Sequence, residues 1–267
     1  MKKITWLLLV FIPSLLHAQQ RVDGMVRAEK SFSAFAVAHN TRDAFLKFAD
    51  SGGLVFEKGE PVNAIRLWSG REIRPGVLEW HPQFAEISAS GDFGYTTGPW
   101  TFRAKSIEDC VVARGQFSTI WHLNKNGEWK FLLDLGNGNS PLNTADEAVE
   151  LMIEKKKGSI GEVLNAEQDF IDLFKKDPSS AYGKFVSSQT ILNRNGRLPA
   201  TAAVVQKTIA ETPAGFQLQM QGSGIATSGD LAYVYGTATL DHKSENYLHV
   251  WRNERNGWKL ALEVLRY

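Results

Sequence analysis

The chain has 267 residues, 43% hydrophobic and 22% charged, with a formal net charge of +1. That apolar mass suits about two domain cores. The near-zero charge excludes nucleic acid or an anionic membrane as the main partner, because both need a basic excess, and 8 Trp with 15 Phe exclude a disordered chain.

Met1-Lys2-Lys3 opens the chain, and an almost wholly apolar run from Ile4 to Leu16 leads to the small Ala18. This reads as a secretory signal over residues 1–18, exporting the protein to the periplasm or the medium. The run is shorter than the roughly 20 residues of a membrane span, and no Cys near the cut can carry a lipid. Cys110 is the only cysteine, so no internal disulfide forms. Its neighbours Glu108 and Asp109 argue against a nucleophile and for a structural role.

Beyond the leader, Phe32, Phe35 and Ala36 recur at helical spacing. Thr41 caps a short second helix. Leu54-Val55-Phe56 reads as a strand, and Pro61 starts a third helix through Ala64, Ile65 and Trp68. Strand signals follow at Val77–Ala89, Phe93–Ala104, Gly115–Leu123 and Glu128–Leu135, with hairpin turns at Gly91-Asp92 and Asn126-Gly127. A break at Gly136–Pro141 precedes a linker helix expected within residues 138–158, with Thr144 and Glu147 as its capping box. The same order then recurs: a helix through Val163, Phe170, Leu173 and Phe174, a second capped by Asp177, a strand at Ile191-Leu192, and a third helix after Pro199. Strands at Phe216–Thr227, Leu231–Leu240, Asn246–Arg252 and Trp258–Leu265 close the chain. Helices first and an antiparallel meander second define an α+β class.

The recurrence is visible in the residues themselves. At an offset of 138, 14 of the positions 28–98 are identical, including Ala28-Glu29 with Ala166-Glu167, Phe32 with Phe170, and Ser90-Gly91-Asp92 with Ser228-Gly229-Asp230. Tyr95 matches Tyr233 and Gly98 matches Gly236. Unrelated segments share about four. Trp121 then pairs with Trp251 at offset 130, and Trp129-Lys130 with Trp258-Lys259 at 129, so the second copy lacks a loop near Arg103–Arg114. The chain divides into one domain over 24–137, a linker over 138–158 and a second domain over 159–267.

Three helical pieces, then a bent sheet ending in the Gly-x-Trp-Lys pattern of Gly127–Lys130, resemble the nuclear-transport-factor-2-like superfamily, also called SnoaL-like or ketosteroid-isomerase-like. Leu78-Glu79-Trp80-His81-Pro82 and Ser90–Gly98 look most like its branches of unknown function. The resemblance implies two tandem cones, each with a curved, mainly antiparallel sheet around its first helix and a pocket at the open end. It also implies sheet-to-sheet pairing, met within one chain or in a homodimer. Enzymes of that superfamily use a pocket carboxylate or His as base, facing Tyr or acid donors.

No metal site is expected, because His39, His81, His122, His242 and His249 stand in no ligand-like spacing. No cofactor is expected either, since there is no phosphate-binding loop. The catalytic candidates are His81, Tyr95 and Asp134, and the ligand-binding candidates are Trp80, Trp100, Arg114, Trp121 and His122. His81 is either a base beside an aromatic wall or a surface residue next to an edge Pro. Tyr95 is either a donor or a buried structural Tyr. Arg114 is either an anion ligand or a solvated loop residue. Asp134 and Glu263 each stand in a last apolar strand, where burial raises a carboxyl's pKa. Strict alternation puts Asp134 with Lys130, opposite Phe131, Leu133 and Leu135, and so favours an ion pair or interdomain contact. Three readings follow: a module binding a small apolar or aromatic ligand, an isomerase, dehydratase or hydrolase, and a structural pseudo-dimer that meets a protein partner. Trp80, His81, Trp100 and Arg114 occur only in the first copy, so an active copy is expected to be that one.

Overall fold

A computed structural model describes residues 13–144, 149–151 and 153–267. Most of the expected signal segment, and Glu147 of the expected capping box, lie outside them. Pro13 to Ala18 are the first turns of a long helix, α1 (Pro13–Ala38).

In copy one, α1 presents Val22, Met25, Glu29, Phe32 and Ala36 to the interior at helical spacing. Next come α2 (Thr41–Phe48), β1 (Ala49–Glu57), β2 (Glu60–Asn63) and α3 (Ala64–Ser69), followed by β3 (Val77–Trp80), β4 (Phe84–Ile87), β5 (Phe93–Arg103), β6 (Val111–Leu123) and β7 (Trp129–Gly138). The cap of α2 is Asn40, whose side chain accepts from the Asp43 N–H, and not Thr41. The single strand expected over Val77–Ala89 is broken in two at His81-Pro82-Gln83, because Pro82 has no N–H to give the ladder.

The expected linker helix is absent from the described residues of its segment. Val149–Glu150 forms β8, parallel to β4. From there the Leu151 N–H reaches Ala85 O, the Lys156 N–H reaches Asn253 O and the Gly158 N–H reaches Gly229 O. A run that spends its backbone bonds on the edges of both copies has none left for a helical ladder.

Copy two repeats the order with α4 (Ile160–Lys176), α5 (Pro178–Phe185), β9 (Val186–Arg194), α6 (Ala203–Ala210), β10 (Gln217–Ile225), β11 (Leu231–Leu240), β12 (Lys243–Glu254) and β13 (Gly257–Leu265). Ser159 and Glu162 close a reciprocal capping box on α4. The sheets run β2-β1-β7-β6-β5-β4-β8, with β3 also on β5, and β10-β11-β12-β13-β9. Within the cones each is antiparallel except where its last long strand meets the first, β7 on β1 and β13 on β9, and the linker strand β8 adds one more parallel pairing on β4. Each copy is therefore an α+β cone, its curved sheet wrapped around the helices. The longer β5–β6 hairpin of copy one carries the loop that copy two lacks.

The outer sheet faces pack on each other. Phe93, Tyr95, Ile120, Leu133 and Leu135 meet Leu231, Leu248, Val250, Leu262 and Val264 in one buried cluster. At its margin the repeated Ser-Gly-Asp turns touch: Ser90 and Ser228 hydroxyls lie 2.9 Å apart, and Asp230 accepts the Ala89 N–H at 2.8 Å. Inside it, Arg252 donates to Glu86 at 2.8 Å, and Lys155 lies 3.2 Å from the same carboxylate.

Candidate functional site

A β-bulge sets the chemistry of both cones. The pairing of β6 with β7 slips between Ile120–Leu133 and Trp121–Phe131. Phe131 therefore packs inside the cone and Leu133 and Leu135 pack outside it. After the bulge Asp134 faces inward, because one extra residue inverts the alternation. Strict parity put Asp134 on the same side as Lys130, and the bulge overturns that. The same slip between Val250 and Trp251 turns Glu263 into the second cone.

In copy one this face opens on a cavity of about 430 Å³. Its walls are Phe45, Leu78, Trp80, Trp100 and Phe117, and its polar groups are Asp134, Asn137 and Arg266. A smaller cavity of about 190 Å³ shares Phe45, Asp134, Gly136 and Arg266 and runs on to Trp68 and Arg71. The Trp100 indole is tied to Asn137 O at 3.2 Å. It crosses Gly115, where an added Cβ would fall 1.9 Å from Asn137 O and 2.7 Å from that indole nitrogen, so only glycine fits.

Behind the wall lies Glu29, fully buried on α1. It accepts from Trp80 Nε1 at 2.6 Å, from Trp121 Nε1 at 2.8 Å and from the Thr96 hydroxyl. Burial raises its pKa against those bonds. Asp134 accepts from the Thr119 hydroxyl at 2.9 Å. Burial, then the Glu29 charge, push Asp134 up to about 7. Asp134 thus borders the aromatic chamber with Glu29 behind it, and neither acid has an ion pair among the described residues.

Copy two has the same acids in a different company. Glu167 and Glu263 both grip His249, at 2.9 and 2.8 Å. Glu167 also accepts from Trp251 and Tyr247, and Glu263 from Tyr182 and Arg194. Burial pulls His249 down, but Glu167 and then Glu263 raise it to about 9. Glu263 takes the ion-pair alternative rather than the raised acid: burial pushes it up, yet Arg194 on the neighbouring strand and His249 hold it at about 2. Where copy one has Phe45, Phe117 and Gly136, this interior holds Tyr182, Tyr247 and Leu265, all fully buried. What stays open, about 550 Å³ along Phe216, Ala238 and Leu240, touches none of the charged network.

Of the sequence-derived candidates, Trp80, Trp100 and Asp134 line the copy-one cavity, and Trp121 stands behind it holding Glu29. The others lie elsewhere. Tyr95 is on the outer sheet face with its hydroxyl on Glu86 at 3.2 Å. His81 is half-buried past the end of β3, its N–H on Pro99 O. His122 pairs with Asp50 at 2.9 Å, and Arg114 is exposed on β6 opposite Thr101. Sequence reasoning missed Glu29, Glu167, Arg194 and Arg266. The two glutamates had a signal: each is an acid inside an otherwise apolar helical stripe, Met25-Glu29-Phe32 and Val163-Glu167-Phe170. No spacing pointed to the arginines, which the sheet brings in from distant strand ends.

No family model matches the sequence, and no curated protein is similar to it. Solved structures similar to part of the chain include nuclear transport factor 2 from Cryptosporidium parvum, 13% identical over 43% of this chain and 98% of that one, with a TM-score of 0.36. A nuclear-transport-factor-2-like protein of unknown function from Shewanella oneidensis is 15% identical over 43% and 96%, with a TM-score of 0.34. A de novo designed protein of the same fold is 10% identical over 42% and 88%, with a TM-score of 0.31.

Proposed function

We propose that the chain is an exported protein that binds one small apolar or aromatic molecule in the cone of copy one. The observation that carries this is the cavity of about 430 Å³, walled by Phe45, Leu78, Trp80, Trp100 and Phe117 with few polar groups. Its size and mixture are those of small-molecule sites. Two tryptophans in the wall make occupancy directly readable. Titration with 1-naphthaleneacetamide should change their fluorescence saturably in the micromolar to millimolar range, and Trp100→Ala should weaken it about tenfold or more, roughly the loss expected for an aromatic wall. The absence of a saturable signal at millimolar ligand would sink the proposal.

Asp134 favours a second reading, acid–base catalysis by an isomerase, dehydratase or hydrolase. A carboxyl held at about 7 beside an aromatic wall suits proton transfer at neutral pH. Proton exchange next to the carbonyl of 2-tetralone, followed by nuclear magnetic resonance in heavy water, tests it. Catalysed exchange lost in Asp134→Asn supports turnover, and exchange equal to buffer removes it.

A further inference from the structure

The copy-one cavity is not built from copy one alone. Arg266, just beyond the end of β13, lines the cavity of about 430 Å³ and the smaller one beside it, as well as the rim of copy two's own opening. Its repeat position in copy one is Asn137, and each of these strand ends crosses to the other cone: the Asn137 amide donates to Arg194 O at 2.7 Å. Asn195 clamps the junction, accepting the Gly138 N–H and donating to Tyr267 O, so the segment carrying Arg266 is held at the cavity. The guanidinium itself is under-used. Its Nη2 lies 3.1 Å from the part-exposed Glu245, and its Nε, though buried, has no hydrogen-bond partner among the described residues. Asp134, across the same cavity, is bonded to Thr119.

Resting on the binding reading above, we infer that Arg266 is a specificity residue contributed by copy two, and that the ligand of copy one is an aromatic or apolar carboxylate whose anionic head meets this guanidinium. A part-buried arginine with a spare, buried Nε–H donor is the group that recognises a planar carboxylate, through paired N–H bonds. A neutral ligand of the same shape leaves those donors unpaired. The arrangement also explains why two copies share a chain: one shapes the chamber and the other supplies its charge.

The test compares 1-naphthaleneacetate with the uncharged 1-naphthaleneacetamide by calorimetry on the full chain. Wild type should bind the acetate at least about tenfold tighter, within the range of a charge-assisted bond. Arg266→Gln should erase that preference, bringing the acetate's affinity down to the level of the amide's in the same variant. Arg266→Lys should keep part of it, and Glu245→Gln, which removes the competing carboxylate, should enlarge it. These two decide the matter if the glutamine variant does not fold. Equal affinity for both probes in wild type, or a preference that survives Arg266→Gln, overturns the inference while leaving the binding reading intact. If neither probe binds wild type, both fall.

Discussion

The two cones share a scaffold and diverge at its centre. In both, a glutamate from the first helix faces an acid that a bulge turns inward from the last strand. In copy two, Glu167 and Glu263 are matched by His249 and Arg194, and aromatic residues fill the space around them. In copy one, Thr119 stands at the His249 position, and β1 carries no basic residue at all. The acids there have hydrogen-bond donors but no ion pair among the described residues, with Asp134 at about 7 beside an open chamber. Two acids matched by two cations make a structural plug, whereas in copy one neither acid has an ion pair among the described residues and Asp134 borders an open cavity.

The comparison breaks most sharply at the plug. Glu263→Ala leaves Arg194 and His249 buried without their shared partner, which should cost about 3–5 kcal/mol. Urea unfolding at pH 7 measures it, and a cost below about 1 kcal/mol would mean the network is not integral to the fold.

The plug should also have a pH signature. His249 is raised in the folded chain to about 9 from 6.5. Its contribution is therefore fully present below pH 6.5 and is lost as the pH climbs through about 9. Stability should fall over that interval, and His249→Gln should flatten the fall. A wild-type stability that stays level from pH 6.5 to 9 would contradict a charged His249.

Asp134 predicts the opposite sign of mutational effect. Its folded pKa is raised from 3.8 to about 7, so ionisation costs stability progressively across that range. Solvent entering the half-buried wall screens part of this. Asp134→Asn should therefore stabilise the chain by about 1–2 kcal/mol at pH 8 and be neutral at pH 4. Equal effects at both pH values would place the carboxylate in ordinary solvent.

The smallest stability change should accompany the largest loss of binding. Gly136 is the copy-one counterpart of Leu265, and an added Cβ there lies no closer than 3.5 Å to Gln116 O and Trp100 Nε1. Gly136→Leu should fill the chamber as copy two is filled. It should abolish naphthaleneacetamide binding while changing stability by less than about 1 kcal/mol.

The duplicated α+β plan was legible because it is written locally, in helical stripes, turn glycines and paired tryptophans. The site was legible only in part. Trp80, Trp100 and Asp134 were singled out, but alternation placed Asp134 on the wrong side, since the bulge in β7 has no glycine or proline to mark it. Tyr95 and His122 sit on strands that reach the cone, and pleat alone does not tell its inside from its outside. Arg266 was invisible because its role arises from packing between copies. The linker's expected helix failed for a related reason, since its partners are strand edges far off in sequence.

The most direct test of the account is a crystal of the full chain under xenon pressure, since xenon enters dry apolar cavities. The account predicts xenon between Leu78, Trp80 and Trp100 and none beside Glu263 and His249. Xenon in the second cone's interior, or a first cone closed by its own side chains, would contradict it.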